Sequence, residues 1–331
     1  MDQFSAHLDR GWDLVQRGDP GGAELSARRA LELDGQSPEA YNLLGYVAAL
    51  QGEFEDAIEH YRQAIALDDT YLEAMLNAAE VLVHPLADFD RAIDMCDQAL
   101  DLAETDDEVV DALLLKFDAL LGQGRQDEAR ALCARFPQGP FDNPNHSFLV
   151  GRALYEVGNV AAARPLIEEA TDKNPDGADA HYYLGLVRDD GGDSAGATAA
   201  FLRSRELDAA LPAPAWALSA ETFHGLVRRV VEGLDEGLGK FLRGGELFVS
   251  DLPGVEVVVD GVDPRALLLL DGIGGPEGTE PTARLFVYQR NVERVAGTVE
   301  GVEEEIRLAL DRELRLTFLE ENAPARGTPL N

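Results

Sequence analysis

The chain has 331 residues, 45% of them hydrophobic and 27% charged, which is enough for two domains with buried cores. It carries 62 acidic and 28 basic residues, a net charge of -34, so phosphate backbones and anionic lipid surfaces are excluded as expected partners. The sequence has no apolar run long enough to span a membrane and no signal-peptide pattern. Its two cysteines, Cys96 and Cys133, fit a reducing compartment, and we therefore expect a cytoplasmic protein.

Small and aromatic residues recur about every 34 residues through the first 210 residues. The clearest unit places Tyr41, Gly45, Ala57 and Tyr61 at fixed spacings. Glycines at the expected end of the first helix in four units are Gly52, Gly124, Gly158 and Gly192. A glycine there favours a left-handed backbone, and small residues let two helices cross closely. The pattern predicts six pairs of short helices, and because no pair buries its apolar face alone, the pairs must stack.

This pattern resembles the tetratricopeptide repeat (TPR) family over roughly residues 1–209, which implies an all-α solenoid, assigned here to residues 1–210. The resemblance also implies that the first helix of each unit lines a concave groove with two positions one turn apart. The groove positions are Leu8 and Trp12, Asn42 and Tyr46, Leu76 and Glu80, Leu114 and Asp118, Phe148 and Arg152, and Tyr182 and Leu186.

The predicted groove lining is apolar, aromatic and acidic. Only Asn42 and Arg152 are suited to holding a peptide carboxylate, so a carboxylate clamp is not expected. We expect instead a protein or peptide partner that is apolar or basic. Two alternatives stay open: part of the lining packs against the chain's own C-terminal domain, and the acidic surface serves only to keep a long array soluble.

The helical period ends at Pro212 and Pro214, which mark a domain boundary. In chain order, the elements predicted beyond it are a helix over 217–243, strands at 246–250, 255–260 and 284–288, and a helix over 301–320. The glycines at 271–275 suggest a surface loop. These elements predict a small α+β domain over residues 216–320, followed by a flexible tail at 321–331.

The element order and the Asp251-Leu252-Pro253 loop resemble the bacterial minimal-zincin metallopeptidases. That resemblance implies an HExxH motif on the last helix, in which two histidines bind zinc and the glutamate is the general base. The matching positions here are Arg312, Glu313 and Leu316. A guanidinium has no acceptor atom and leucine has no ligand atom. We therefore expect no metal and no cofactor in this zincin-like domain.

These observations favour an interaction scaffold, in which the repeats recruit a partner and the zincin-like module is a non-catalytic binding or regulatory unit. The rival interpretation is a zinc metallopeptidase with unrecognised ligands, to which the repeats deliver substrate. Glu313 would be catalytic only in that case. A third possibility is that the two domains bind each other and form a closed unit.

Overall fold

The computed structural model describes residues 2–141, 143–242, 244–274 and 282–318, so the predicted tail at 321–331 lies outside the described residues. The chain divides into two compact units, Met1–Asn174 and Pro175–Asn331. The first unit is helical. The second begins with one more helical pair and continues into a part that contains a small sheet. The last helical pair therefore belongs by packing to the second unit, although its sequence continues the repeats.

The first unit is a series of antiparallel helical pairs, as the 34-residue period predicts. Its helices are α1 (Gln3–Gln16), α2 (Pro20–Leu33), α3 (Pro38–Gln51), α4 (Phe54–Leu67), α5 (Leu72–Val83), α6 (Phe89–Leu102), α7 (Asp106–Gly122), α8 (Gln126–Leu132), α9 (Pro144–Glu156) and α10 (Val160–Lys173). Several begin at a capping side chain. Asp19 accepts the Gly22 N–H at 2.9 Å, and Ser37 accepts the Ala40 N–H at 3.1 Å.

Small residues let the two helices of a pair approach closely. Ala57 and Ala64 on α4 are fully buried, and Tyr61 between them is 1% exposed. The Tyr61 ring covers Gly45 on α3, where a Cβ atom would lie 2.6 Å from ring carbons. Gly45 therefore lies where α3 and α4 cross, and the Tyr61 ring fills the space beside it within the same helical pair.

Each joint between paired helices needs one residue with positive φ. The glycines that provide it are Gly18 (φ 73°), Gly52 (81°), Gly124 (72°), Gly158 (83°) and Gly192 (78°). Between α5 and α6, in the third helical pair, the residue with positive φ is Ala87, with φ of 49°. Its Cβ atom makes that conformation cost about 1 kcal/mol. The joint that contains Ala87 is therefore strained, and the helical pair still forms around it.

The second unit contains one repeat pair followed by a mixed α/β part. Its elements are α11 (Ala178–Asp190), α12 (Ser194–Ala210), α13 (Ala220–Glu232), α14 (Glu236–Gly239), β1 (Leu247–Ser250), α15 (Val255–Val259), β2 (Leu268–Gly274), β3 (Thr282–Tyr288), α16 (Gln289–Ala296) and α17 (Val302–Phe318). The sheet order is β1-β3-β2; β3 runs parallel to β1 and antiparallel to β2.

One face of the sheet forms the core of the second unit together with α13 and α17. Leu285 and Val287 of β3 point into this core, where they join Phe223 of α13 and Leu310 of α17. All four side chains are at most 2% exposed. The opposite sheet face carries Phe248 stacked on Phe286, with ring centroids 4.8 Å apart. The predicted combination of a helical repeat region and a small part with a few strands is thus confirmed.

Several predicted elements in this part are wrong in type or length. The predicted strand at 255–260 is the helix α15, in which Val255 and Val259 are exposed and only Val258 is buried. The predicted loop at 271–275 begins inside β2, which pairs with β3. The predicted helix over 217–243 breaks after Glu232, because Asp235 caps a new helix by accepting the N–H groups of Gly237 and Leu238.

Candidate binding groove

The first unit contains a cavity of about 630 Å³ between the first helices of three successive pairs, α5, α7 and α9. Its apolar lining residues are Leu72, Leu76, Leu114, Leu115 and Leu149, and its polar ones are Glu73, Asn77, Glu80, His84, Glu108, Asp111, Asp118 and Arg152. Residues three and four apart share one helix face, so each helix presents one stripe to the cavity. The volume suits a few side chains of a bound segment.

The cavity carries an excess of negative charge. Five carboxylates face one guanidinium and the ring of His84. Because Glu80 and Asp111 are exposed, their field reaches solvent and attracts cationic groups, an effect that salt screens.

The one arginine of the cavity is already neutralised. Arg152 Nη2 lies 3.3 Å from Asp118 Oδ1, and Arg152 Nε lies 3.6 Å from Glu156 Oε1. Burial raises the pKa of Asp118, and the nearby Arg152 opposes that rise. Since Arg152 contacts carboxylates of its own chain, it is poorly placed to hold the carboxylate of a peptide.

A buried histidine positions one acid of the cavity rim. The side chain of His146 on α9 is 3% exposed; its Nδ1 lies 3.0 Å from Asp107 Oδ1 and its Nε2 lies 2.9 Å from Asp111 Oδ1. These two contacts therefore join α9 to α7 and fix the direction of the Asp111 carboxylate.

The predicted groove positions fall in different environments. Those that line the cavity together are Leu76, Glu80, Leu114, Asp118 and Arg152. Elsewhere, Leu8 and Trp12 pack on the apolar cluster of α1–α3, and Trp12 meets Tyr46 edge to face at 5.3 Å. Phe148 and Leu186 are half-buried.

Two further predicted positions have partners within the chain. Asn42 is fully buried, and its amide is hydrogen-bonded to Glu73 at 3.1 Å and to Asn77 at 3.1 Å. Tyr182, in the second unit, donates its hydroxyl to Asp263 at 2.8 Å. The amide of Asn42 is therefore used in hydrogen bonds between α3 and α5.

The prediction missed cavity residues that lie one turn from the predicted pairs. Examples are Leu72, Asp111 and Leu149, each three or four residues from a predicted position. The helical period contains this signal, because a groove stripe extends over more turns than the two positions assigned to each helix.

The last helix, α17, carries Arg312, Glu313 and Leu316, the residues compared above with an HExxH motif. Arg312 Nε lies 3.5 Å from Glu313 Oε1, and the Leu316 side chain is 42% exposed. Across the part of the chain that the structure describes, no group of three or more His, Cys, Asp or Glu side chains has the arrangement of a metal site.

The two cysteines are free thiols inside the repeats. Burial raises the pKa of Cys96 to about 12 and that of Cys133 to about 11. Both therefore behave as small packing residues with little thiolate at neutral pH. Among the described residues, no helix has both the length and the apolar character needed to span a membrane.

A family model described as tetratricopeptide repeat matches residues 8–71, 86–143 and 149–212. Among solved structures, pilF of Pseudomonas aeruginosa is similar at 19% identity and a TM-score of 0.54, over 63% of this chain and 93% of that one. PilW, described as a widely conserved type IV pilus biogenesis factor, is similar at 18% identity and a TM-score of 0.52, over 64% of this chain and 95% of the PilW chain. Such low identities indicate a shared fold only. No curated protein matches the sequence.

Proposed function

This chain belongs to the tetratricopeptide repeat family, and from that premise we propose that its first unit is a scaffold that binds a partner protein or peptide in the cavity between α5, α7 and α9. The observation that carries the proposal is the cavity itself, about 630 Å³ in volume, with leucines and carboxylates along one continuous wall. Such a surface can bury the apolar side of a segment while its acids pair with that segment's cations.

The proposed partner is an apolar and basic segment, best presented as an amphipathic helix. Leu76, Leu114 and Leu149 offer apolar contact along three neighbouring helices. Glu80 has an exposed side chain beside these leucines. An acidic segment would meet uncompensated repulsion in the same place, so charge gives the groove its selectivity.

A pair of designed peptides tests this proposal. One is a fluorescein-labelled amphipathic helix with leucines on one face and lysines on the other; the second has glutamate in place of every lysine. We expect the lysine peptide to bind the full chain with a dissociation constant in the micromolar range, as read by fluorescence anisotropy, and the glutamate peptide not to bind. Glu80→Lys should weaken binding about tenfold, or about 1.4 kcal/mol.

The matched control is Asp94→Lys, which makes the same charge change at an exposed site on α6, outside the cavity. It should weaken binding by less than about twofold, because Asp94 is exposed to solvent, where salt screens its charge, and does not line the cavity. Equal weakening by Glu80→Lys and Asp94→Lys would show that the peptide responds to the overall acidic surface, and would contradict a groove site.

We also propose that residues 216–320 form a zincin-like module that is not catalytic, in a protein of the cytoplasm. The support is that Arg312 and Leu316 offer no ligand atom on either side of Glu313. Protein purified without chelators should contain less than about 0.1 zinc per chain by mass spectrometry, because a structural or catalytic site would hold about one. One zinc per chain, lost on Glu313→Gln, would favour the metallopeptidase instead.

A further inference from the structure

In the second unit, the last repeat pair is already in contact with a segment of its own chain. The Arg265 guanidinium lies over the ring of Tyr182, with 4.5 Å between its central carbon and the ring centroid. Arg265 Nη2 is 2.6 Å from Asp179 Oδ1, and Arg265 Nε is 3.1 Å from Asp208 Oδ2. One guanidinium thus meets an aromatic face and two carboxylates, the combination that arginine recognition uses in protein interfaces.

The segment that carries Arg265 is held in a defined turn. Asp263 Oδ1 accepts the backbone N–H of Arg265 at 2.7 Å, while Asp263 Oδ2 accepts the Tyr182 hydroxyl at 2.8 Å. Asn291 donates to the carbonyls of Pro264 and Ala266, at 3.0 and 2.8 Å. The Arg265 side chain is consequently only 15% exposed.

Tyr182 occupies the groove-facing position of its repeat, the position that Leu76 and Leu114 occupy where the first unit is open. We propose that Asp263-Pro264-Arg265 is an internal ligand of the last repeat, bound to the surface formed by Asp179, Tyr182 and Asp208. This surface fits a guanidinium-bearing segment, and the chain's own segment occupies it. A partner is therefore limited to the groove of the first unit unless it displaces Arg265.

A peptide supplied in trans tests the proposal in the full chain. The probe is a labelled peptide with the sequence of residues 260–268, DGVDPRALL, and the control peptide has alanine in place of its arginine. We expect the probe to bind the Arg265→Ala chain at least tenfold more tightly than the wild type, and the control peptide to bind neither chain. Adding Asp179→Asn to Arg265→Ala should reverse most of that gain, because one of the two carboxylates is neutralised.

Arg265→Lys provides a second variant in case the alanine chain does not fold. Lysine keeps the charge but loses the planar fork and the stacking, so the probe should bind this chain more tightly than the wild type. Equal affinity for wild type and variants, or failure of the probe to bind any folded variant, would show that Arg265 is only a structural brace. Binding of the lysine peptide to the first unit should be unchanged by Arg265→Ala, so the two proposals can fail separately.

Discussion

Gly45→Ala is expected to lower the free energy of unfolding of the first unit by about 2–3 kcal/mol, because overpacking a close helix crossing forces side chains or backbone to move. The new Cβ atom would lie 2.6 Å from two carbons of the Tyr61 ring, and Tyr61 is 1% exposed. Trp12 and Trp216 are the two tryptophans of the chain. Urea unfolding followed by Trp12 fluorescence in a Trp216→Phe background reports on the first unit alone.

Gly52→Ala is the matched control for crowding. Gly52 has φ of 81°, and no heavy atom lies within 4 Å of the place that an added Cβ atom would take. Alanine there should therefore cost about 1 kcal/mol through backbone conformation alone. Combining Gly45→Ala with Tyr61→Leu should recover at least about 1 kcal/mol relative to additivity, because the two sites are in contact. Equal costs at Gly45 and Gly52 would mean that the helix crossing is looser than its distances indicate.

Phe223→Ala is expected to lower the free energy of unfolding of the second unit by about 3–4 kcal/mol, the cost of a large cavity in a packed core. Phe223 is fully buried on α13, in a cluster with Leu285 of β3 and Leu310 of α17. Trp216 packs against the same cluster. Its fluorescence in a Trp12→Phe background therefore follows the unfolding of this core.

Arg228→Ala supplies the control on the same helix. Arg228 is exposed on α13, so its replacement should change the unfolding free energy by less than about 0.5 kcal/mol. A cost below about 1 kcal/mol for Phe223→Ala would contradict tight packing between α13, the sheet and α17. It would also mean that α17, which carries Arg312 and Glu313, is not anchored by α13.

The repeats could be predicted from sequence because their defining contacts are encoded at a fixed spacing. Gly45 and Tyr61 meet within one helical pair, so a local pattern reports a tertiary contact directly. The sheet offered no such pattern. In β2, four consecutive leucines ending at Leu270 hide the alternation of apolar and polar residues that would indicate a strand. The valines at 255–259 have strand propensity, yet they form the helix α15. Pairing with β3, a contact between distant residues, decides which run becomes a strand.

In the candidate groove too, the positions set by the period of a single helix could be predicted from the sequence, and the contacts between separate elements could not. Leu76, Glu80 and Asp118 could be placed on one wall because helix periodicity fixes their direction. The hydrogen bonds of Asn42 depend on a neighbouring helix, and no single-helix pattern contains them. The contact between Arg265 and Tyr182 could not be predicted from the repeat pattern. Arg265 lies in a loop more than eighty residues after Tyr182, and a pattern that repeats every 34 residues contains no information about such a contact.

The alanine-rich interior of the helical pairs has a consequence for how this protein can diverge. Ala57, Ala64 and their counterparts are fully buried, so a larger side chain at these positions would have to displace its neighbours, and alanine loses no rotamer entropy on folding. Selection should therefore hold the interior nearly constant while the cavity wall is free to vary. Relatives could then exchange one partner for another through a few changes at positions such as Glu80, and the stacking of the repeats would be unaffected.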